Sequence, residues 1–143
     1  MKHRDLGLEP LRRLIVVLDM GEDVLPVLQT FCEQNTIKAA TMTGIGGFGG
    51  ATVAFYNMES KEYERIKVDE QVEVLSFLGN VTRYDDKPKI HVHCILGHRD
   101  GHTTGGHLLA GVVRPTLELV IEELAGDIKR TDRPDIGIPL IDL

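Results

Sequence analysis

Two cysteines, Cys32 and Cys94, are all the thiol chemistry in the 143 residues. They are too few for a disulfide framework and suit a reducing compartment. No apolar run approaches the ~18 residues that cross a bilayer, and the first residues, MKHRDLGLEP, hold no apolar signal segment. A membrane-spanning or secreted protein is not expected; a cytoplasmic one is. Basic charge is scarce as well. The 16 Lys and Arg stand against 22 Asp and Glu, a net charge of −6, and basic residues never exceed two in a row. A dedicated nucleic-acid binder shows a basic face or tail, so DNA is not an expected partner. Serine is reduced to Ser60 and Ser76, neither within Gly-x-Ser-x-Gly, which leaves nucleophilic serine catalysis unsupported. Low-complexity tracts, tandem repeats and linkers are absent.

What is present is an ordinary globular composition, 42% apolar and 27% charged. It predicts one domain over 1–143, with a core of about 12–124 and an extended C-terminal segment over 125–143. Leu14–Leu18 reads as a buried strand. Gly21-Glu22-Asp23 stops it, and Asp23 is placed to cap a helix with Pro26 in its first turn. Val24, Leu28 and Phe31 form an apolar stripe at helical spacing, flanked by Leu25 and Cys32, and the helix is expected to end near Asn35. The rest predicts strands: Ala39–Gly44, Ala51–Tyr56, Tyr63–Val68, Val72–Val81, Lys89–Gly97 and Leu117–Leu124. Asp85-Asp86-Lys87-Pro88 and Arg99-Asp100-Gly101 have turn chemistry. The expected class is α+β, a mainly antiparallel sheet packed with one main helix.

The strongest chemical pattern is Lys89-Ile90-His91-Val92-His93-Cys94. Strand alternation sends His91 and His93 to one face and Val92 and Cys94 to the other. Cys94, and Cys32 on the helical stripe, therefore read as core. His107 follows in Gly105-Gly106-His107-Leu108, after a turn at Arg99–Gly101. Gly106 permits close backbone approach there and is expected to support His107. Three imidazoles suit a divalent metal, most of all zinc, and leave a fourth position for water or a small anion. Against this stands the plain reading of His-x-His as two satisfied side chains on a sheet. His98 and His102 flank the turn and read as exposed loop residues, and His3 lies in the terminus.

Glu73 lies in Val72-Glu73-Val74-Leu75-Ser76-Phe77 and shares a strand face with Leu75 and Phe77 by simple alternation. A carboxylate on an apolar face needs a partner. A metal-bound imidazole or water would make Glu73 a neighbour of the metal ligands or a proton acceptor; an arginine or a subunit boundary would serve equally. Gly44-Ile45-Gly46-Gly47-Phe48-Gly49 matches G-x-G-x-x-G, but a strand-like run follows it rather than a helix, and no Gly-Lys-Ser/Thr is present. These glycines point to a turn, a bulge or close backbone packing.

In their order along the chain, Gly44–Gly50, Gln71-Val72-Glu73-Val74-Leu75-Ser76-Phe77-Leu78-Gly79-Asn80, His91-Val92-His93 and Gly105-Gly106-His107-Leu108 resemble the plant and prokaryote conserved (PPC) domain family. The opening strand and Gly21-Glu22-Asp23 fit too, so the resemblance covers about Arg12 to Leu124. It implies an antiparallel α+β or α/β fold, a homotrimer, and a metal on the histidines that match His91, His93 and His107. Plant members add an AT-hook and regulate in the nucleus. Here no Arg-Gly-Arg-Pro occurs, and of the plant-type Gly-Arg-Phe-Glu only Glu73 is kept. The favoured expectation is a trimeric, zinc-bearing binding or regulatory module. A DNA-binding regulator and a metal-dependent enzyme with Glu73 as general base are the alternatives, and the residues identify no substrate. An apolar C-terminal run, Ile136–Ile141, is able to dock on a neighbour, a physical motive for assembly, or on the domain itself.

Overall fold

A computed structural model of the chain describes residues 12–143; His3 lies outside them. The element order is β1 (Arg13–Leu18), α1 (Val24–Gln34), β2 (Ala40–Asn57), β3 (Glu62–Val68), β4 (Val72–Tyr84), β5 (Lys87–Gly97), β6 (Thr103–Glu123), β7 (Lys129–Arg133) and β8 (Ile138–Asp142). The expected α+β class holds. Among the described residues pairing is antiparallel except for one parallel bridge, Arg83 to Lys129, between β4 and β7. Strand β2 pairs with both β6 and β4, β4 with β5, and β5 with β6, so the four longest strands close on themselves. Strand β1 adds to β6 and β3 to the far half of β2.

Apolar alternation fills the inside. Val24, Leu28 and Cys32 of α1 are fully buried with Leu18, Phe48, Phe77, Leu117 and Ile121. Each such large side chain contributes about 1.5–3 kcal/mol on leaving water. Phe31 is only partly buried, because Cys32 takes the centre of the stripe. Asp23 begins the helix through its backbone carbonyl, which accepts from Val27 N at 3.1 Å, but its side chain makes no capping hydrogen bond.

Three departures from the sequence pattern matter. The glycine run forms the bulges and close packing expected of it rather than a turn, so β2 runs through it as a single 18-residue strand instead of two. A Cβ on Gly44 would lie 2.5 Å from the Glu118 carbonyl oxygen, so side chains would hold β2 off β6. Strand β6 begins at Thr103, well before the expected Leu117. The C-terminal segment is no extended tail; it folds back as the β7–β8 hairpin. Ile136, Ile138 and Leu140 are thereby half-buried on this chain's own sheet.

Candidate metal centre

Strand β5 turns Val92 and Cys94 into the core, each 2% exposed, and so presents His91 and His93 on its other face. On one side β5 pairs with β6 in a register that sets His93 opposite His107. On the other it pairs with β4, setting His91 opposite Asn80. The two neighbouring strands thus bring the three imidazoles together. One ligand nitrogen from each lies within 4.8 Å of the others, and among the described residues this is the one cluster of His, Cys, Asp or Glu that could hold an ion. His91 Nε2 and His93 Nε2 are 3.1 Å apart. Ring centroids are separated by 5.0 Å for His91–His93 and His91–His107, and by 5.5 Å for His93–His107. Gly106 makes this possible: a Cβ there would sit 2.6 Å from the Ala54 carbonyl oxygen of β2, which flanks His107 on its far side.

The surroundings suit a cation that binds neutral nitrogen. Burial first, then the positive charge of Arg130 and the neighbouring His93 and Lys89, push His91 down from 6.5 to about 4. Burial and the adjacent histidines push His107 down to about 4 as well. Both rings are uncharged at neutral pH, as ligation requires. His107 Nδ1 is buried without a hydrogen-bond partner, the kind of orphan that an ion or an ordered water satisfies. Tyr63 of β3 stacks on His107 at 4.7 Å and walls the site. Arg130 of β7 reaches in with Nη2 3.3 Å from His91 Nδ1. The three nitrogens can hold a metal ion with one coordination position left open.

The sequence gives Tyr63 and Arg130 no place at the site, and it marks Asn80 only as the last residue of the motif that begins at Gln71. Each enters through a long-range contact, and neither periodicity nor motif spacing records such contacts. Other candidates fall elsewhere. Glu73 pairs across from Gly97, five residues before Leu78, the partner of His93. At about 3.3 Å per residue this is some 16 Å along the strand, so within one chain Glu73 does not reach the histidines. A bulge between Val74 and Ser76 also reverses the strand's phase, leaving Glu73 exposed while Phe77 is buried. His98 is not the exposed loop residue expected. Its side chain is 8% exposed, bonded to Glu70 at 2.7 Å and Thr104 at 2.9 Å. It stacks on His102 at 3.9 Å, which closes the β5–β6 turn.

Residues 7–125 match the model of the Plants and Prokaryotes Conserved (PCC) domain. The chain belongs to this family. Among solved structures, this PPC chain is similar to a PPC protein of Pyrococcus horikoshii, with 30% identity, 99% of this chain and 98% of the other covered, and a TM-score of 0.91. It is also similar to a metal-containing protein of Archaeoglobus fulgidus, at 32% identity, 99% and 100% coverage and a TM-score of 0.90. A third relative, from Bacteroides thetaiotaomicron, is described as a "putative dna binding protein"; it shows 29% identity, 91% coverage of both chains and a TM-score of 0.88. No curated protein matches the chain in sequence. No helix among the described residues is long and apolar enough to cross a membrane.

Proposed function

We propose that this PPC chain is a trimeric, zinc-bearing binding or regulatory module whose ion is held by His91, His93 and His107 and takes a small anionic ligand at its open position. The observation that carries the reading is the convergence of three imidazole nitrogens within 4.8 Å, with no carboxylate among them. Zinc suits such a set, with Zn–N distances of about 2.0–2.1 Å. Tetrahedral geometry at that length separates nitrogens by about 3.3 Å, close to the 3.1 Å between His91 and His93. The metal in the Archaeoglobus relative supports the reading. A bound zinc would supply Lewis acidity at its open position. Lys89 and Arg130, both near enough to bias the histidines, add positive potential for an anion.

The trimer is supported by an apolar outer face. Ile15 is 81% exposed, Ile45 60%, Leu75 54% and Leu78 57%, and Ile15, Ile45, Leu75 and Leu78 line one groove with Val120. Closed three-fold packing would cover such a patch. The patch is a stronger physical motive than the C-terminal run, of which the hairpin half-buries Ile136, Ile138 and Leu140 and leaves Ile141 exposed. X-ray absorption at the zinc edge on tag-free protein tests the metal. Three nitrogen neighbours near 2.0–2.1 Å are expected; a sulfur-rich or featureless shell would contradict it.

The DNA-binding alternative draws on the description of the Bacteroides relative. The charges here oppose it: Arg12 pairs with Glu123 at 2.5 Å and Arg13 with Glu122 at 2.8 Å, so two of the cations that could meet phosphate are already neutralised. The enzyme alternative would have to take Glu73 from a neighbouring subunit.

A further inference from the structure

The β7–β8 hairpin is tied down on both sides of the histidine site. Its base lies on β4. Lys129 bridges to Arg83, Arg83 N donates to the Ile128 carbonyl at 2.8 Å, and Arg130 donates to Thr82 Oγ1 at 2.8 Å and to Asn80 Oδ1 at 3.0 Å. Asn80 stands opposite His91 in the β4–β5 ladder, so the base is on the His91 side. The tip of the hairpin lies on the β2–β3 turn. Tyr56 Oη donates to the Ile136 carbonyl at 2.7 Å, and Lys61 Nζ to the Pro134 carbonyl at 2.9 Å. The Tyr56 ring leans on Tyr63 at 4.9 Å, and Tyr63 stacks on His107, so the tip is on the His107 side.

Strands β5 and β6, which carry all three histidines, lie between β4 and β2 in the sheet order. Three strand spacings come to about 14 Å, and a strand of five residues such as β7 extends about 16 Å. The hairpin is long enough to pass across the site from one side to the other. Burial follows the same path. His91 and His107, next to its two ends, are half-buried, whereas His93 is exposed. The sheet itself holds the hairpin weakly. Among the described residues its ladder pairing to the other strands is one bridge, and no residue of 129–142 is fully buried. An element held in this way opens ahead of the whole domain.

We propose that the β7–β8 hairpin is a strap over the histidine site that opens as a unit, releasing its tip from Tyr56 and Lys61, and so sets how fast the metal ion exchanges. It leaves the His93 edge open, so it slows exchange rather than sealing the site. The inference rests on the metal reading above and adds a moving part to it.

The test is amide hydrogen exchange on the full chain, paired with zinc release into excess chelator. In the metal-free wild type, the ladder-bonded amides of β7 and β8 should exchange at least about tenfold faster than those of β4 and β5, which open with the domain. Equal protection of hairpin and core strands overturns the strap, and this readout needs no variant. Tyr56→Phe/Lys61→Ala removes both tip bonds. Each hydrogen bond is worth a factor of about two to ten in an opening equilibrium. The variant should therefore speed hairpin exchange about tenfold, leave β5 exchange unchanged, and speed zinc release by a similar factor. Hairpin exchange at the wild-type rate, or faster hairpin exchange with zinc release unchanged, would overturn the proposal. A chain that binds no zinc overturns the metal reading and the strap with it, a result distinct from zinc that binds and leaves at an unchanged rate.

Discussion

Gly106→Ala is the most instructive small change in this chain. The added methyl would lie 2.6 Å from the Ala54 oxygen and 3.2 and 3.3 Å from the Ala54 carbonyl carbon and nitrogen. All three are backbone atoms of β2, so no side chain can swing aside, and ordinary van der Waals contact requires strands β2 and β6 to part by close to an ångström. Overpacking of this kind costs about 1–3 kcal/mol. For a domain of this size that lowers the melting temperature by about 3–10 °C. The displaced segment carries His107, whose ladder partner is Ala54. The same methyl should therefore weaken zinc affinity even where the domain stays folded. The control is Gly101→Ala, at a turn with φ +89° and nothing within 4 Å of an added Cβ. It should cost about 1 kcal/mol of backbone strain and leave zinc affinity unchanged. Thermal melts followed by circular dichroism, with calorimetric zinc titration, separate the two. Gly106→Ala with wild-type melting and wild-type affinity would refute the reasoning.

Metal-free protein should lose stability as the pH falls from about 6.5 to about 4 and level off below. His91 and His107 have folded values of about 4 against 6.5, so across that window the unfolded chain takes up protons that the folded chain refuses; a melting temperature constant from about pH 7 to pH 5 would contradict this. The combined change Ile15→Lys and Leu75→Lys should convert the trimer to single chains, read by light scattering as a fall to 15.9 kDa; a wild type already at that mass refutes the trimer. Random duplex DNA should bind weakly at physiological salt, and what binding there is should fall steeply as salt rises. Tight, sequence-selective binding in a salt-controlled titration would promote the DNA-binding alternative.

The apolar run Leu14–Leu18 makes β1 legible as a strand but not as a buried one, since Ile15 and Val17 lie exposed on its outer face. The strand-like runs of β3, β4 and β5 are legible too, and alternation along β5 gives the shared face of His91 and His93. It failed where the backbone breaks period. One bulge at Leu75 was enough to put Glu73 and Phe77 on opposite faces. The stretches around Gly44–Gly50 and Gly105–Gly106 carry too few side chains to show alternation, so the pattern splits β2 in two and hides the first half of β6. That His107 meets His93 depends on register across the β5–β6 turn, which the Arg99–Gly101 signal suggested without fixing. Arg130 arrives from a hairpin that pairs with β4 by one bridge, and its position depends on the side-chain hydrogen bonds to Thr82 and Asn80. Those partners lie 48 and 50 residues away, beyond any local pattern.

The central claim is that His91, His93 and His107 form one metal site. Metal content per chain, measured by mass spectrometry on tag-free protein and on the His91→Ala/His93→Ala double variant, tests it most directly. One divalent ion, zinc, is expected per chain in the wild type, and none in a double variant that keeps its fold by circular dichroism. Equal metal content in the two proteins would contradict it.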